Sequence, residues 1–129
     1  MTRKEIYTEK GPVPKGAYSQ AIVAEGPMVF VSGQGPVDPV TGEFRLGSID
    51  EQAKLVFDNI ATLLEAAGTS WANATRVGIF LADLGDFAEM NALYETYLTA
   101  PYPARTTVQA GLPAGMLIEV DCIALVPED

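Results

Sequence analysis

At 129 residues, with 48% hydrophobic and 19% charged side chains, the chain is expected to form one domain, residues 1–129, around one core. Its formal charge of −9 comes from 17 acidic against 8 basic residues scattered without a stripe, which argues against nucleic acid as a partner. One cysteine and no histidine exclude an internal disulfide, the Ser-His-Asp and Cys-His mechanisms, and a thiolate zinc site.

The chain opens with Met-Thr-Arg-Lys-Glu-Ile-Tyr, which lacks the apolar core of a signal peptide. No stretch approaches the ~18 consecutive apolar residues of a membrane span. A soluble, cytoplasmic protein without a membrane partner is the expectation. Residues 11–16, rich in Gly and Pro, read as a loop that delivers a first strand over 17–24, with Tyr18 at the junction. Glu25-Gly26-Pro27 turns the chain into a second, more apolar strand over 28–32, which ends in Ser32-Gly33-Gln34-Gly35. The Pro- and Gly-rich residues 36–42 hold no regular element, and a short strand is expected around 43–45.

Ser48 with Glu51 three residues on matches a capping box. Ala53, Val56, Phe57, Ile60, Leu63, Leu64 and Ala67 then recur at helical spacing, and Gly68 is the natural stop. A strand over 74–82 follows, apolar on both faces. Asp86 with Glu89 suggests a second capping box, opening a helix over 87–98. Met90, Leu93, Tyr94 and Tyr97 are its packing face, with Asn91 an amide among them. Ala100-Pro101-Tyr102-Pro103 breaks this helix.

Residues 102–121 carry the chemistry. Arg105, Thr107 and Gln109 alternate with Thr106, Val108 and Ala110, and Glu119 and Asp121 alternate with Ile118, Val120, Cys122 and Ala124. With Gly111, Pro113 and Gly115 between the runs, the pattern predicts a hairpin that sets Arg105 opposite Glu119. The plain alternative is a cross-strand ion pair on a wet face, contributing ~0 to 1 kcal/mol. Cys122 falls on the apolar side, where an inert thiol is expected. The element order implies a mixed sheet with two helices on one face, leaving an apolar face for another copy of the chain to cover.

These residues resemble the RidA (YjgF-type) family of reactive imine and enamine deaminases. The blocks that carry the resemblance are Gly16-Ala17-Tyr18-Ser19-Gln20-Ala21, Val31-Ser32-Gly33-Gln34 with residues 36–42, Phe87-Ala88-Glu89-Met90-Asn91 with Tyr94-Glu95, and Pro103-Ala104-Arg105 with Ile118-Glu119-Val120. The resemblance implies an α+β, chorismate-mutase-like fold, a single mixed sheet with two helices packed on one face. It also implies a homotrimer with clefts between subunits. By the same resemblance the reaction is hydrolysis of 2-imino acids, such as 2-iminopropionate and 2-iminobutyrate, to 2-keto acids and ammonia, with no cofactor and no metal. Arg105 would clamp the substrate carboxylate, Glu119 would position or activate water, and Tyr18, Ser32, Asn91 and Thr107 would line the pocket. Thr107 stands where many members carry Cys. Two other functions stay open: a non-catalytic module that binds 2-keto acids through the same Arg, and an endoribonuclease or translation inhibitor, which the missing histidine and basic stripe disfavour.

Overall fold

The clearest local signal in the chain builds its longest element. Helix α1 (Ile49–Ala66) starts at Ser48, whose Oγ accepts from the Glu51 N–H at 3.2 Å while Glu51 Oε1 accepts from the Ser48 N–H at 3.2 Å. Two donors that the first turn would leave unpaired are thus satisfied. Gly68, at φ +86°, ends the helix in a conformation that favours glycine, and its N–H donates to the Glu65 carbonyl at 2.9 Å. Ala53, Val56, Phe57, Ile60 and Leu64 are fully buried. Leu63, expected on that stripe, falls outside it and is exposed.

The computed structural model describes residues 2–128. Met1 and Asp129, the two ends of the expected domain, lie outside the described residues. A four-stranded mixed sheet lies beneath the helices, built from β3 (Met28–Gln34), β4 (Ala74–Leu81), β5 (Ala104–Gln109) and β6 (Ile118–Leu125) in the order β3-β6-β4-β5. All neighbours are antiparallel except β4 and β5, which are parallel and joined across helix α2 (Phe87–Tyr97), the crossover that parallel pairing requires. The fold is therefore α+β, with two helices packed on a mixed sheet. Residues 36–45 hold only a bridge between Val37 and Phe44.

The strand order corrects the hairpin expectation. β5 and β6 are not partners, because β4 lies between them and pairs with both. Its Ala74, Val77, Ile79 and Leu81 are fully buried, so the most apolar strand takes the central place. Gly111, Pro113 and Gly115 belong instead to a loop that passes the end of β4, where the Ala110 N–H donates to the Leu81 carbonyl and the Ala82 N–H to the Leu117 carbonyl.

Register fixes which side chains share a face. Val31, Val77, Ile79, Val120 and Cys122 are buried on the helix-covered face, Val77 standing opposite Cys122 and Ile79 opposite Val120. Arg105 pairs with Val77 and Thr107 with Ile79, so both point to that face too. The other face carries Phe30, Phe80, Asp121 and Ile123, with Phe30 72% exposed.

Two features outside the sheet set its loops. β1 (Thr2–Ile6), a polar strand that the apolar pattern does not announce, pairs with β2 (Ala21–Glu25) as a separate antiparallel ribbon. The strand expected over 17–24 thus begins at Ala21 as β2, and residues 17–20 are loop with bends at Ala17 and Gln20. Gln52, fully buried in α1, donates to the Gly47 and Gly115 carbonyls at 3.1 and 2.9 Å and accepts from the Leu117 N–H at 2.8 Å. One amide fixes the entry to β6.

The second capping box is not formed. Asp86 makes no side-chain cap, since a 3-10 turn over Leu84–Asp86 leads into α2 and Asp83 Oδ1 accepts from the Gly85 N–H at 2.7 Å instead. Cys122 is buried as expected, and burial pushes its thiol pKa up to about 12. Among the described residues no helix is long and apolar enough to cross a membrane.

Candidate functional site

Arg105 is the second residue of β5, the edge strand, and points to the helix-covered face. Its Nη1 donates to Asn91 Oδ1 at 2.6 Å, and Asn91 Nδ2 donates onward to Glu95 Oε1 at 3.3 Å. The guanidinium carbon sits 4.7 Å from the ring centre of Tyr94, 5.4 Å from Phe87 and 5.7 Å from Tyr18. Phe87, Asn91 and Tyr94 stand at i, i+4 and i+7 on α2, one stripe of the helix. The sequence pattern shows Tyr94 and Asn91 but not Phe87, whose aromatic ring at that spacing was the available signal.

Among the described residues the ion pairs are Arg45 with Asp38 and Lys54 with Asp58, and no carboxylate lies within ion-pair distance of Arg105, Glu95 being linked to it only through Asn91. Burial pulls its pKa below the ordinary arginine value, while Tyr94, Tyr18 and Glu95 act in the opposite direction. It stays charged throughout the physiological range. A half-buried cation held by aromatic faces and one amide oxygen keeps donors free for a planar anion.

Tyr18 reaches this group through the loop that precedes β2. Ser19, 2% exposed, anchors that loop: its N–H donates to the Pro103 carbonyl at 3.2 Å and its Oγ to the Tyr102 carbonyl. The segment that carries Tyr18 is thereby fastened to the segment that leads into Arg105. Arg3 adds to this, donating to the Ala74 and Pro101 carbonyls at 2.8 Å each. Thr107, two residues beyond Arg105 on the same face, has a buried Oγ1 without a hydrogen-bond partner among the described residues.

Glu119 and Ser32 are placed elsewhere. Glu119 stands opposite Phe80 and alternates with the buried Ile118 and Val120, so it points to the face away from the helices. The ladder slips between Val31 and Gln34, and Gly33 lies in that irregularity directly against the Glu119 carboxylate. A Cβ there would collide with it. Ser32 is exposed and lines, with Phe30, Gly33, Arg76 and Asp121, a cavity of ≈ 420 Å³ on the open face. The cavity does not reach Arg105. The structure therefore brings Arg105, Asn91, Tyr18 and Thr107 to one face of the sheet, and Glu119 with Ser32 to the other.

A family model described as Endoribonuclease L-PSP matches residues 8–126. A RutC family protein of Pyrococcus abyssi is 47% identical over 125 residues, covering 96% of this chain and 98% of its own. The rat protein named 2-iminobutanoate/2-iminopropanoate deaminase is 40% identical over 126 residues, covering 97% and 91%. The crystal structure of RidA from an Antarctic Psychrobacter superposes with a TM-score of 0.73 at 42% identity, over 95% of this chain and 99% of that one. With a match that spans nearly its whole length, the chain belongs to the Endoribonuclease L-PSP family, the RidA (YjgF-type) family of the sequence resemblance.

Proposed function

We propose that this protein hydrolyses short 2-imino acids, of the class of 2-iminopropionate and 2-iminobutyrate, to 2-keto acids and ammonia. The observation that carries the reading is Arg105: half-buried, charged, hydrogen-bonded to Asn91 among three rings, and without a carboxylate partner among the described residues. The substrate carboxylate takes the place of that missing partner through paired charged hydrogen bonds of ~1.5 to 3 kcal/mol each. Tyr18 and Thr107 flank the bound acid from the same face. The rat relative's name supports the reaction class.

Glu119 supplies the second half. Its face is opposite to that of Arg105, so the carboxylate that serves one clamp comes from a neighbouring copy of the chain, in a homotrimer with sites at the subunit clefts. The exposed apolar face around Phe30 supports such a contact. In the reaction, water adds to the protonated imine carbon while Glu119 takes one of its protons, giving a carbinolamine. Glu119 returns that proton to nitrogen and then accepts the hydroxyl proton as the C–N bond breaks, the carbonyl forms and ammonia leaves. A positioned base contributes ~100- to 10,000-fold, a modest demand for a bond that already hydrolyses in water.

The separation of the two residues also favours one other reading, a module that binds 2-keto acids without turnover, since a chain acting alone has the clamp and lacks the base. The assay that decides is keto-acid release from 2-iminobutyrate generated in situ, with semicarbazide as the competing trap, for the wild type and Arg105→Ala. Acceleration by the wild type alone is the expected result. No acceleration of 2-iminobutyrate hydrolysis by the wild type, together with saturable keto-acid binding, would replace the deaminase by the binding module.

A further inference from the structure

We propose that Phe87 and Tyr94, one turn of α2 on either side of Asn91, are positioning residues that hold the Arg105 guanidinium in the orientation that receives a carboxylate. The inference rests on the reading of Arg105 as a carboxylate clamp and adds to it the parts that aim the clamp. A lone hydrogen bond to Asn91 leaves the guanidinium plane free to rotate about that bond. Two ring faces, at 4.7 Å from Tyr94 and 5.4 Å from Phe87, remove that freedom.

The rings differ in how they are held. Tyr94 is fully buried and packs edge-on against Phe57 at 6.0 Å and 66°, and Phe57 in turn meets Trp71 at 5.7 Å and 68°. The wall behind Arg105 is thus continuous with the α1 core. Phe87 is 37% exposed and forms the outer wall at the mouth of the site. The Tyr94 hydroxyl is buried with no hydrogen-bond partner among the described residues, and burial raises its pKa above the ordinary tyrosine value. It therefore stays neutral, and Tyr94 offers Arg105 a ring face without a negative charge that would compete with the incoming carboxylate. A ring alone meets that need, so the hydroxyl is dispensable.

The test uses Phe87→Leu, Tyr94→Leu and Tyr94→Phe in the imine assay, with a second readout in ¹⁵N-labelled protein. There the Arg105 Nε–Hε resonance is assigned against Arg105→Ala and displaced in the wild type by the nearby rings. Tyr94→Leu raises KM about tenfold with kcat within about threefold, and moves the resonance to the position of exposed arginines. Phe87→Leu does both to a smaller extent, and Tyr94→Phe restores wild-type KM and the displaced resonance. Leu variants with wild-type KM and an unmoved resonance would overturn the proposal, as would Tyr94→Phe failing like Tyr94→Leu. If Tyr94→Leu does not fold, Phe87→Leu at the exposed wall decides on the same two readouts. A wild type that turns over no imine and binds no 2-oxobutyrate removes the clamp reading itself, whereas a wild type active on imine with Leu variants unaltered removes only the role of the two rings.

Discussion

Mixing two inactive variants distinguishes a site built within one chain from a site built between two. Arg105→Ala removes the clamp and should cost ~150-fold or more in kcat/KM, the equivalent of two charged hydrogen bonds of at least ~1.5 kcal/mol each. Glu119→Gln removes the base and should cost ~100-fold or more. Because Arg105 pairs with Val77 and Glu119 with Phe80, the two side chains leave opposite faces of the sheet. When both variants are co-expressed in equal amounts under different tags, a site between copies needs Arg105 from one chain and Glu119 from the next. Half of the chains carry each, so about a quarter of the sites are complete whatever the ring size. Material purified through both tags should therefore recover at least tens of per cent of wild-type keto-acid release, far above either variant alone. Doubly tagged assemblies no more active than the single variants would show that each chain uses its own Arg105 and Glu119, and the reasoning from strand register would be wrong.

Three further outcomes follow from the same geometry. Gly33→Ala places a methyl group against Glu119 and should lower kcat about 100-fold with little loss of stability, read by imine turnover beside thermal melting. Gln52→Leu strips the Leu117 N–H of its partner inside the core and should cost ~1 to 3 kcal/mol, read as a fall in the urea midpoint at constant slope. The Cys122 thiol, raised from 9.0 to about 12, is a group whose folded state favours the protonated form. Its contribution to stability is complete below pH 9 and is lost as pH climbs from 9 towards 12, and the thiol should resist alkylation in native protein at neutral pH and react once urea unfolds it.

The helices and their buried faces were legible because each is a local pattern: Ser48 and Glu51 are three residues apart, and the stripe from Ala53 to Leu64 repeats within a few turns. Strand order was not legible in the same way. Alternation reports which side chains share a face of one strand, and it says nothing about which strand lies beside it. The run from Arg105 to Asp121 reads as a hairpin because nothing between residues 105 and 121 records that β4 is inserted there. The polar ribbon strand β1 escaped for the opposite reason, since Thr2–Ile6 has little apolar side to bury and is fixed by pairing with β2 and by the Arg3 contacts. Asp86 lacks the cap because the 3-10 turn before α2 leaves its backbone at φ −85° and ψ 2°, short of the extended conformation a capping residue adopts.

That insertion of β4 carries a consequence for the chemistry. Had Arg105 and Glu119 faced each other across a hairpin, the guanidinium would already hold a carboxylate, and a substrate acid would have to displace it against charged hydrogen bonds of ~1.5 to 3 kcal/mol. A chain with formal charge −9 offers many carboxylates for such self-pairing. Placing Arg105 on the helix-covered face, behind the rings of Phe87 and Tyr94, leaves it without an ion-pair partner among the described residues, and Glu95 acts on it only from the far side of the Asn91 amide. Guanidinium tolerates this because it is weakly hydrated and stacks on aromatic faces, which an ammonium group would do less well. Arg105→Lys should accordingly fold and still lose most affinity for 2-oxobutyrate, measured by calorimetry, since it keeps the charge and forfeits the planar fork. Undiminished binding by that variant would mean that charge alone, without the orientation imposed by the rings, is enough.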